Sequence, residues 1–205
     1  VEKEYCELLK SYASADEISK ALFAVETANM PLLGYGSKAF LLSLLENAIE
    51  VSGGRLKADE VEKIIKLGKE LLQLPGKPMD GVEETLKVLR ERGEYHLVVF
   101  TKGELLDQEN KFHRSGLKSY FDDIIVVSDK TEASYYQLCE RFSINVEQLL
   151  MVGNSFRSDI EPVLKLGGWA AHIPFHTTWQ HEVVEEYEHP HLLKLEYFTQ
   201  LKQVL

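Results

Sequence analysis

The sequence predicts an α/β protein in which a helical N-terminal third precedes a core of alternating strands and helices. Apolar residues recur at helical spacing up to residue 74, and no convincing strand occurs before residue 94. Beyond that point short apolar, β-branched runs alternate with amphipathic segments, which is typical of a parallel sheet with helices on both faces. The segment Pro75-Gly76-Lys77-Pro78 is typical of a boundary. We therefore predict a helical domain over 1–76 and a sheet domain over 77–205.

Four helices joined by short loops are predicted in the first domain, which suggests a small helical bundle. The second of them begins at the capping-box pattern of Ser14 and Glu17. The segment from Asn29 to Gly36 contains Pro31 and two glycines, and we predict that it is a flexible connection between the second and third helices.

In the second domain, strands and helices are predicted to alternate up to about residue 173, and the tail beyond 175 is predicted to hold a loop and one or two short helices. The predicted strands cover residues 95–100, 124–127, 149–152 and 169–173, and the predicted helices cover residues 81–92, 104–114, 131–142 and 158–166.

Composition narrows the classes of function. The formal net charge of −10 is a poor match to phosphate backbones, so we expect no general nucleic-acid binding, although a local basic pocket for a small phosphorylated molecule stays possible. The two cysteines, Cys6 and Cys139, lie too far apart in sequence for a metal motif, and we expect two buried thiols. No apolar run approaches a membrane span and the first residues are charged, so we expect a cytoplasmic protein without a membrane partner.

Ligands of open parallel sheets bind beyond the carboxyl ends of the strands, so the polar residues there are the candidates for a functional site. Thr101 follows one predicted strand and Gly103 leads into the next helix, where a hydroxyl and backbone N–H groups can bind an anion. Lys130 follows another strand and precedes a helix start, a place that favours a nearby anion. The alternatives are a capping threonine and a solvated loop lysine.

A third strand ends at Gly153 and is followed by Asn154, while Asp159 lies one turn into the next helix. Both side chains offer oxygen atoms, which suit Mg²⁺ rather than zinc. The alternative is structural: Asn154 would cap the helix and Asp159 would complement the helix dipole.

Taken together, the strand ending in threonine, the strand followed by lysine and the strand followed by GNSxxxD resemble motifs two, three and four of the haloacid dehalogenase superfamily. The segments SDKTEASYY (128–136) and MVGNSFRSDIEPVLKLGG (151–168) carry the resemblance most specifically. It implies a Rossmann-like parallel core, with the helical N-terminal domain as the cap that this superfamily inserts after its first core strand.

The resemblance also implies a chemistry, a Mg²⁺-dependent hydrolysis of a small phosphorylated metabolite through an aspartyl-phosphate. Thr101 and the backbone N–H groups of Lys102 and Gly103 would hold the phosphate, and Lys130 would offset negative charge. Asp159 would hold Mg²⁺ together with Asn154, which departs from the acidic residue common at its position. Leu33 and Tyr35, in the glycine-flanked segment of the cap, would select the substrate.

One motif of the superfamily is missing, since no DxD occurs in the sequence. In the superfamily the nucleophile and the general acid–base lie in a DxDx(T/V) motif at the end of the first strand. We expect this segment in an N-terminal extension. Two alternatives stay open: a 2-haloacid dehalogenase, which is metal-free, and a non-catalytic binding module that has lost its nucleophile.

Overall fold

The structure is a computed structural model, and it describes residues 1–175 and 180–205. The chain divides into two compact units. The first comprises residues 1–76 and 102–115, and the second comprises residues 77–101 and 116–205.

The first unit is built of helices, which are α1 (Glu2–Leu9), α2 (Ala15–Leu33), α3 (Ser37–Val51), α4 (Ala58–Gln73) and α6 (Leu105–Ser115). Ser14 and Glu17 form the predicted capping box at the start of α2. The apolar positions predicted at helical spacing meet in one core, whose fully buried members include Tyr5, Leu9, Ile18, Leu44 and Ile64. The buried Tyr5 hydroxyl donates to Asn47 Oδ1 at 2.6 Å, so the one polar atom of this aromatic side chain is satisfied.

The connection between α2 and α3 is shorter than predicted. Residues 29–33, predicted as part of a flexible connection, continue α2 to Leu33, and only residues 34–36 join the two helices. Pro31 lies in the last turn of α2, where its fixed φ suits a helix and only one N–H donor is lost. Gly34 ends the helix with a φ of 70°, and its N–H group donates to the Met30 carbonyl at 2.9 Å.

The second unit combines strands with helices. Its helices are α5 (Val82–Arg92), α7 (Glu132–Phe142), α8 (Glu161–Lys165) and α9 (Leu201–Val204), and its strands are β1 (Val98–Lys102), β2 (Asp123–Val127), β3 (Leu150–Gly153), β4 (Trp169–His172) and β5 (Leu192–Lys194). Strand β1 pairs with β2 in one sheet, and a second sheet has the order β3-β4-β5. In the second sheet β3 and β5 both run parallel to β4, with Leu150 opposite Trp169 and Ala170 opposite Leu192.

Strands of both sheets pack against one core of the second unit. Its buried members include Phe100 of β1, Tyr135 of α7 and Ala170 of β4, and partly buried residues of β2 and β3 pack around them. The short predicted strands are therefore apolar because helices and neighbouring strands bury them, as expected for a parallel sheet.

The tail of the chain contains a strand where only loop and short helices were predicted. Leu192 and Leu193 of β5 lie opposite Ala170 and Ala171 of β4, and α9 follows at the C-terminus. A strand of three residues is too short to show a periodicity in the sequence, and here its pairing with β4 decides the conformation.

Two smaller expectations can be compared with the structure. Cys6 and Cys139 are both free and buried, as predicted. Within residues 1–175 and 180–205, none of the helices has both the length and the apolar composition needed to cross a membrane.

Candidate functional site

The centre of the candidate site is an ion pair between two residues that the sequence analysis had placed on separate strand ends. Lys130 Nζ lies 2.6 Å from Asp159 Oδ1, and the two side chains are only 9% and 8% exposed. Lys130 Nζ also lies 5.5 Å from the ring centroid of Phe100, the residue before Thr101. A buried charge costs several kcal/mol unless it is paired, and here the pair places the ammonium and the carboxylate against each other in one position.

Asp159 lies in an irregular turn between β3 and α8. Residues Phe156–Ile160 form one π-helical turn, and Ser155 caps it by accepting the Ser158 N–H at 3.0 Å. The second carboxylate oxygen of Asp159, Oδ2, accepts the N–H group of Ser155 at 3.0 Å. Both oxygens of Asp159 are therefore held by the protein, one by an ammonium and one by the backbone. Single π-turns of this kind often occur at functional sites.

Gly153, the last residue of β3, leaves room for this carboxylate. A Cβ atom built on Gly153 would lie 2.2 Å from Asp159 Oδ2, well inside van der Waals contact. The glycine of the predicted GNS segment is thus required by the close approach of a side chain, since its φ is not in the left-handed region.

Tyr135 of α7 contacts the backbone of the turn that contains Asp159. Its buried hydroxyl donates to the Ser158 carbonyl at 2.9 Å and lies 3.2 Å from the Asp159 carbonyl. Burial raises the pKa of Tyr135, with a further contribution from the charge of Asp159, so that the hydroxyl stays a neutral donor. Sequence analysis did not identify Tyr135, although it stands in the SDKTEASYY segment.

Asn154 is exposed, and its backbone carbonyl lies 3.1 Å from His172 Nε2. The structural alternative for this residue is wrong, because Ser155 and not Asn154 caps the turn. The His172 ring in turn packs edge-on against Phe156, with ring centroids 5.6 Å apart. These contacts hold the backbone at position 154 and leave its side chain at the surface.

Glu182 is a second residue that the sequence did not reveal. Its Oε2 accepts the hydroxyl of Ser158 at 2.6 Å and also accepts the hydroxyl of Ser155. Arg157 of the same turn donates to the His181 carbonyl at 2.6 Å. The segment 180–182 therefore fastens the Asp159 turn from a distant part of the chain, and nothing in the local sequence pattern could have shown this.

The predicted phosphate-binding residues lie where β1 ends. The strand begins three residues later than predicted and includes both Thr101 and Lys102, which are half-buried. Gly103 follows with a φ of 138°, and a Cβ there would lie 2.9 Å from Gln108 Nε2. Helix α6 begins two residues on, at Leu105, so this segment leads into a helix N-terminus as predicted.

The two proposed selectivity residues differ in their surroundings within the first unit. Leu33 ends α2 and is 37% exposed. Tyr35 lies in the three-residue connection, and Lys102 Nζ stands 4.1 Å above the centroid of its ring, which is cation–π geometry.

The donor set suits Mg²⁺. Asp159 and Asn154 offer only oxygen atoms, and each Asp159 oxygen retains lone-pair capacity beyond the hydrogen bond it accepts. The space beside Gly153 that a Cβ would fill is a cradle for this carboxylate. Within the described residues no cluster of three or more His, Cys, Asp or Glu side chains could hold a metal ion. Asp159 and Asn154 would thus supply only two oxygen ligands, and Mg²⁺ commonly takes one or two protein ligands and keeps several waters.

A family model of haloacid dehalogenase-like hydrolases matches residues 3–167. No curated protein sequence matches the chain. Among solved structures, a haloacid dehalogenase-like family hydrolase from Xanthomonas campestris is 32% identical with a TM-score of 0.88, and the match covers 99% of this chain and 80% of that one.

More distant structures share the fold. A putative HAD-hydrolase, YfnB from Bacillus subtilis, bound to magnesium, is 15% identical with a TM-score of 0.67, over 99% of this chain and 90% of that one. A 2-haloacid dehalogenase from Pseudomonas syringae pv. Tomato DC3000 is 18% identical with a TM-score of 0.61, over 90% of this chain and 79% of that one. The sequence motifs, the sheet core and these matches agree, and the chain belongs to the haloacid dehalogenase-like hydrolases.

Proposed function

We propose that this hydrolase is a Mg²⁺-dependent phosphatase that acts on a small phosphorylated metabolite. The observation that carries the proposal is the buried Lys130–Asp159 pair beside Gly153 and the Asn154 turn. A lysine placed at the end of a strand is suited to an anionic group, and a carboxylate in the same place is suited to a hard cation. Phosphoryl transfer with a metal ion needs both.

Each candidate residue of the site has a role in this proposal. The Thr101 hydroxyl and the N–H groups of Lys102 and Gly103 bind the phosphate oxygens at the N-terminal side of α6. Lys130 offsets negative charge as the phosphoryl group is transferred, and Asp159 keeps the lysine in position before the substrate arrives. Such preorganised charge is the main catalytic resource of phosphoryl transfer.

Asp159 and Asn154 would hold Mg²⁺, which supplies neutralisation of charge on the phosphoryl oxygens when it is bound. Asn154 contributes an amide oxygen without a charge, so the site has one negative charge fewer than a pair of carboxylates would give. We therefore propose that the affinity for Mg²⁺ is modest.

The nucleophile of the proposed reaction is an aspartate of a DxDx(T/V) segment, which is not in the printed sequence. The reaction accordingly requires a protein that contains this segment, and the experiments below use that protein, called the full-length protein here. An aspartyl-phosphate formed on it would be hydrolysed by water, with the second aspartate of the motif as acid and base.

The test is a comparison of phosphate release and halide release by the full-length protein. Phosphoglycolate, sugar phosphates and nucleoside monophosphates form one panel, and 2-chloro and 2-bromo carboxylic acids form the other, each with Mg²⁺ and with a chelator. Phosphate release that needs Mg²⁺ supports the proposal. Halide release in chelator would establish the dehalogenase alternative, and no turnover on either panel by a protein that contains DxDx(T/V) would favour the non-catalytic alternative.

A further inference from the structure

The start of α3 has a cap that comes from a distant part of the chain. Helix α3 begins after Gly36, which has no side chain and therefore cannot cap it. The carboxylate of Asp107, in α6, lies there instead: its Oδ2 accepts the Ser37 hydroxyl at 2.7 Å. Asp107 also accepts a backbone hydrogen bond at Ser37, and these bonds together with Lys111 lower its pKa although burial alone would raise it.

Asp107 is held tightly in this role. Its side chain is 1% exposed and its charge is balanced by Lys111, whose Nζ lies 3.0 Å away. Both side-chain partners contact Oδ2, and they compensate for the lost water at that oxygen, whereas Oδ1 is buried without a hydrogen-bond partner. Asp107 is therefore fixed by the fold of α6 and in turn fixes the first turn of α3.

Three further contacts join residues 35–38 to residues 102–104. A Cβ on Gly36 would lie 3.3 Å from Glu104 Cβ, which shows how closely the connection approaches this segment. Lys38 Nζ pairs with Glu104 Oε1 at 2.9 Å. Lys102 Nζ lies over the ring of Tyr35 at 4.1 Å. Residues 35–38 thus lie along residues 102–107.

The contacts differ in strength. The Lys38–Glu104 pair is 55% and 35% exposed, and a pair at this exposure contributes little to stability. The Ser37–Asp107 bond is buried and charge-assisted, which is the stronger class of hydrogen bond. Asp107 therefore dominates the fixation of the connection, and the ring of Tyr35 is held beside Lys102 as a consequence.

We propose that Asp107 is a positioning residue for substrate selection: by capping α3 it holds Tyr35 beside Lys102, and Tyr35 discriminates among phosphorylated substrates. The proposal rests on the proposed function, in which the Lys102 backbone binds phosphate. Tyr35 is the specificity-determining residue of the pair, because an aromatic ring fixed next to a phosphate-binding segment limits the group that the phosphate can carry. Leu33, at the end of α2, is 37% exposed.

The first experiment measures position without turnover. The ring current of Tyr35 should shift the side-chain methylene protons of Lys102 upfield in the NMR spectrum of the full-length protein. Asp107→Ala should remove this shift, Ser37→Ala should reduce it, and the matched control Lys38→Ala should leave it in place. Retention of the shift in folded Asp107→Ala would overturn the positioning role, and this result does not depend on any activity.

The second experiment measures substrate selection in a double-mutant cycle of Tyr35 and Asp107. Tyr35→Ala should change the ratio of kcat/KM for a large and a small phosphorylated substrate about tenfold, and Asp107→Ala should change the ratio in the same direction. In the double variant the effect of Asp107→Ala should disappear, because Asp107 acts through Tyr35. If the two effects add instead, the proposal is wrong.

The two experiments separate this inference from the proposed function. If the wild-type protein releases halide and no phosphate, the proposed function is wrong. The same double-mutant cycle, measured with large and small 2-haloacids, then tests the role of Asp107 and Tyr35 in substrate selection. Should Asp107→Ala unfold, Asp107→Asn replaces it: loss of the charge with an unchanged ring-current shift and an unchanged substrate ratio would contradict the proposal.

Discussion

The Lys130–Asp159 pair lies at the centre of the candidate site, and its chemical role is part of the proposed function. Its two side chains come from loops that follow different strands, and both are nearly buried. Net stabilisation from such a pair is small because desolvation opposes the Coulomb attraction, but removal of one partner leaves an uncompensated charge. The pair is therefore better explained by the chemistry that it prepares than by the stability that it adds.

Lys130→Ala should remove about 2–4 kcal/mol of transition-state stabilisation. It should therefore lower kcat/KM of the full-length protein by roughly thirtyfold to a thousandfold. The reason is that Lys130 Nζ places a positive charge 2.6 Å from Asp159 Oδ1. Steady-state kinetics check the loss, and Lys165→Ala is the matched control, since Lys165 forms an exposed pair with Glu161 within one helix. Lys130→Arg should retain more activity than the alanine variant; activity of Lys130→Ala within threefold of wild type would remove Lys130 from the site.

Asp159→Asn should raise the Mg²⁺ concentration needed for half-maximal activity by about tenfold, because the amide keeps an oxygen donor and loses the charge. A magnesium titration of phosphate release measures the change, with Asp16→Asn as the control, an exposed carboxylate of α2 that pairs with Lys20. An unchanged titration would exclude Asp159 as a metal ligand.

Gly153→Ala should destabilise the protein by about 1–3 kcal/mol, the usual cost of forcing an extra methyl group into a packed site. The added Cβ would overlap Asp159 Oδ2, and nothing in the backbone conformation of Gly153 forbids alanine. A double-mutant cycle compares the free energies of unfolding, measured by chemical denaturation, of the wild type, Gly153→Ala, Asp159→Ala and the double variant. The penalty should shrink when the Asp159 carboxylate is gone, and an equal penalty in both backgrounds would show that another contact is responsible.

At the scale of the secondary-structure elements, α2 contains a carboxyl group with an unusual proton affinity. Burial raises the pKa of Glu26 from 4.5 to about 7, and the charge of Glu2 on α1 contributes in the same direction. The folded state thus keeps a proton that the unfolded chain has lost between about pH 4.5 and 7. Stability attributable to this group is present below pH 4.5 and is lost as the pH rises to about 7.

Glu26→Gln should therefore raise the free energy of unfolding at pH 8 by about 1–3 kcal/mol and should change it little at pH 4. Urea denaturation at the two pH values measures the difference. The control is Glu62→Gln, an exposed glutamate of α4, which should change stability little at either pH. Equal effects of Glu26→Gln at both pH values would contradict the shift.

The sequence predicted elements well where local chemistry decides them. The Ser14–Glu17 capping box is found, and α7 begins within one residue of its predicted start, after the Thr131 cap, because a cap is a contact between near neighbours. The strand ends carrying Thr101 and Gly153 lie within two residues of their predicted places. The prediction for the tail found a short helix, α9, but missed β5, and the prediction for residues 29–33 was wrong, since the pairing of β5 with β4 and the packing of α2 are tertiary effects.

The same distinction holds for the candidate site. Lys130 and Asp159 were identified because polar residues at strand ends converge in a parallel sheet. Glu182 and the Asp107 cap could not be identified, because they contact their partners 24 and 70 residues away through the fold and belong to no local pattern.

At the scale of the whole molecule, the two sheets of the second unit require an explanation. In the part of the chain that the structure describes, β1 pairs only with β2, and β3 pairs only with β4. Both sheets nevertheless pack on one apolar core. Within the described residues β1 and β2 thus form a sheet of two strands, and β3 stands at one end of its sheet.

We propose that the strand of the DxDx(T/V) segment pairs with β1 on one side and β3 on the other, and so joins the two sheets. In the full-length protein the amides of Val98–Lys102 and Leu150–Gly153 should exchange with solvent deuterium at least tenfold more slowly than in the chain printed here, because both strands become internal. The amides of β5, which lies at the other end of its sheet, should change little and serve as the control. Equal exchange of β1 and β3 in the two proteins would show that no strand lies between them, and the nucleophile would then have to reach Lys130 from outside the sheet.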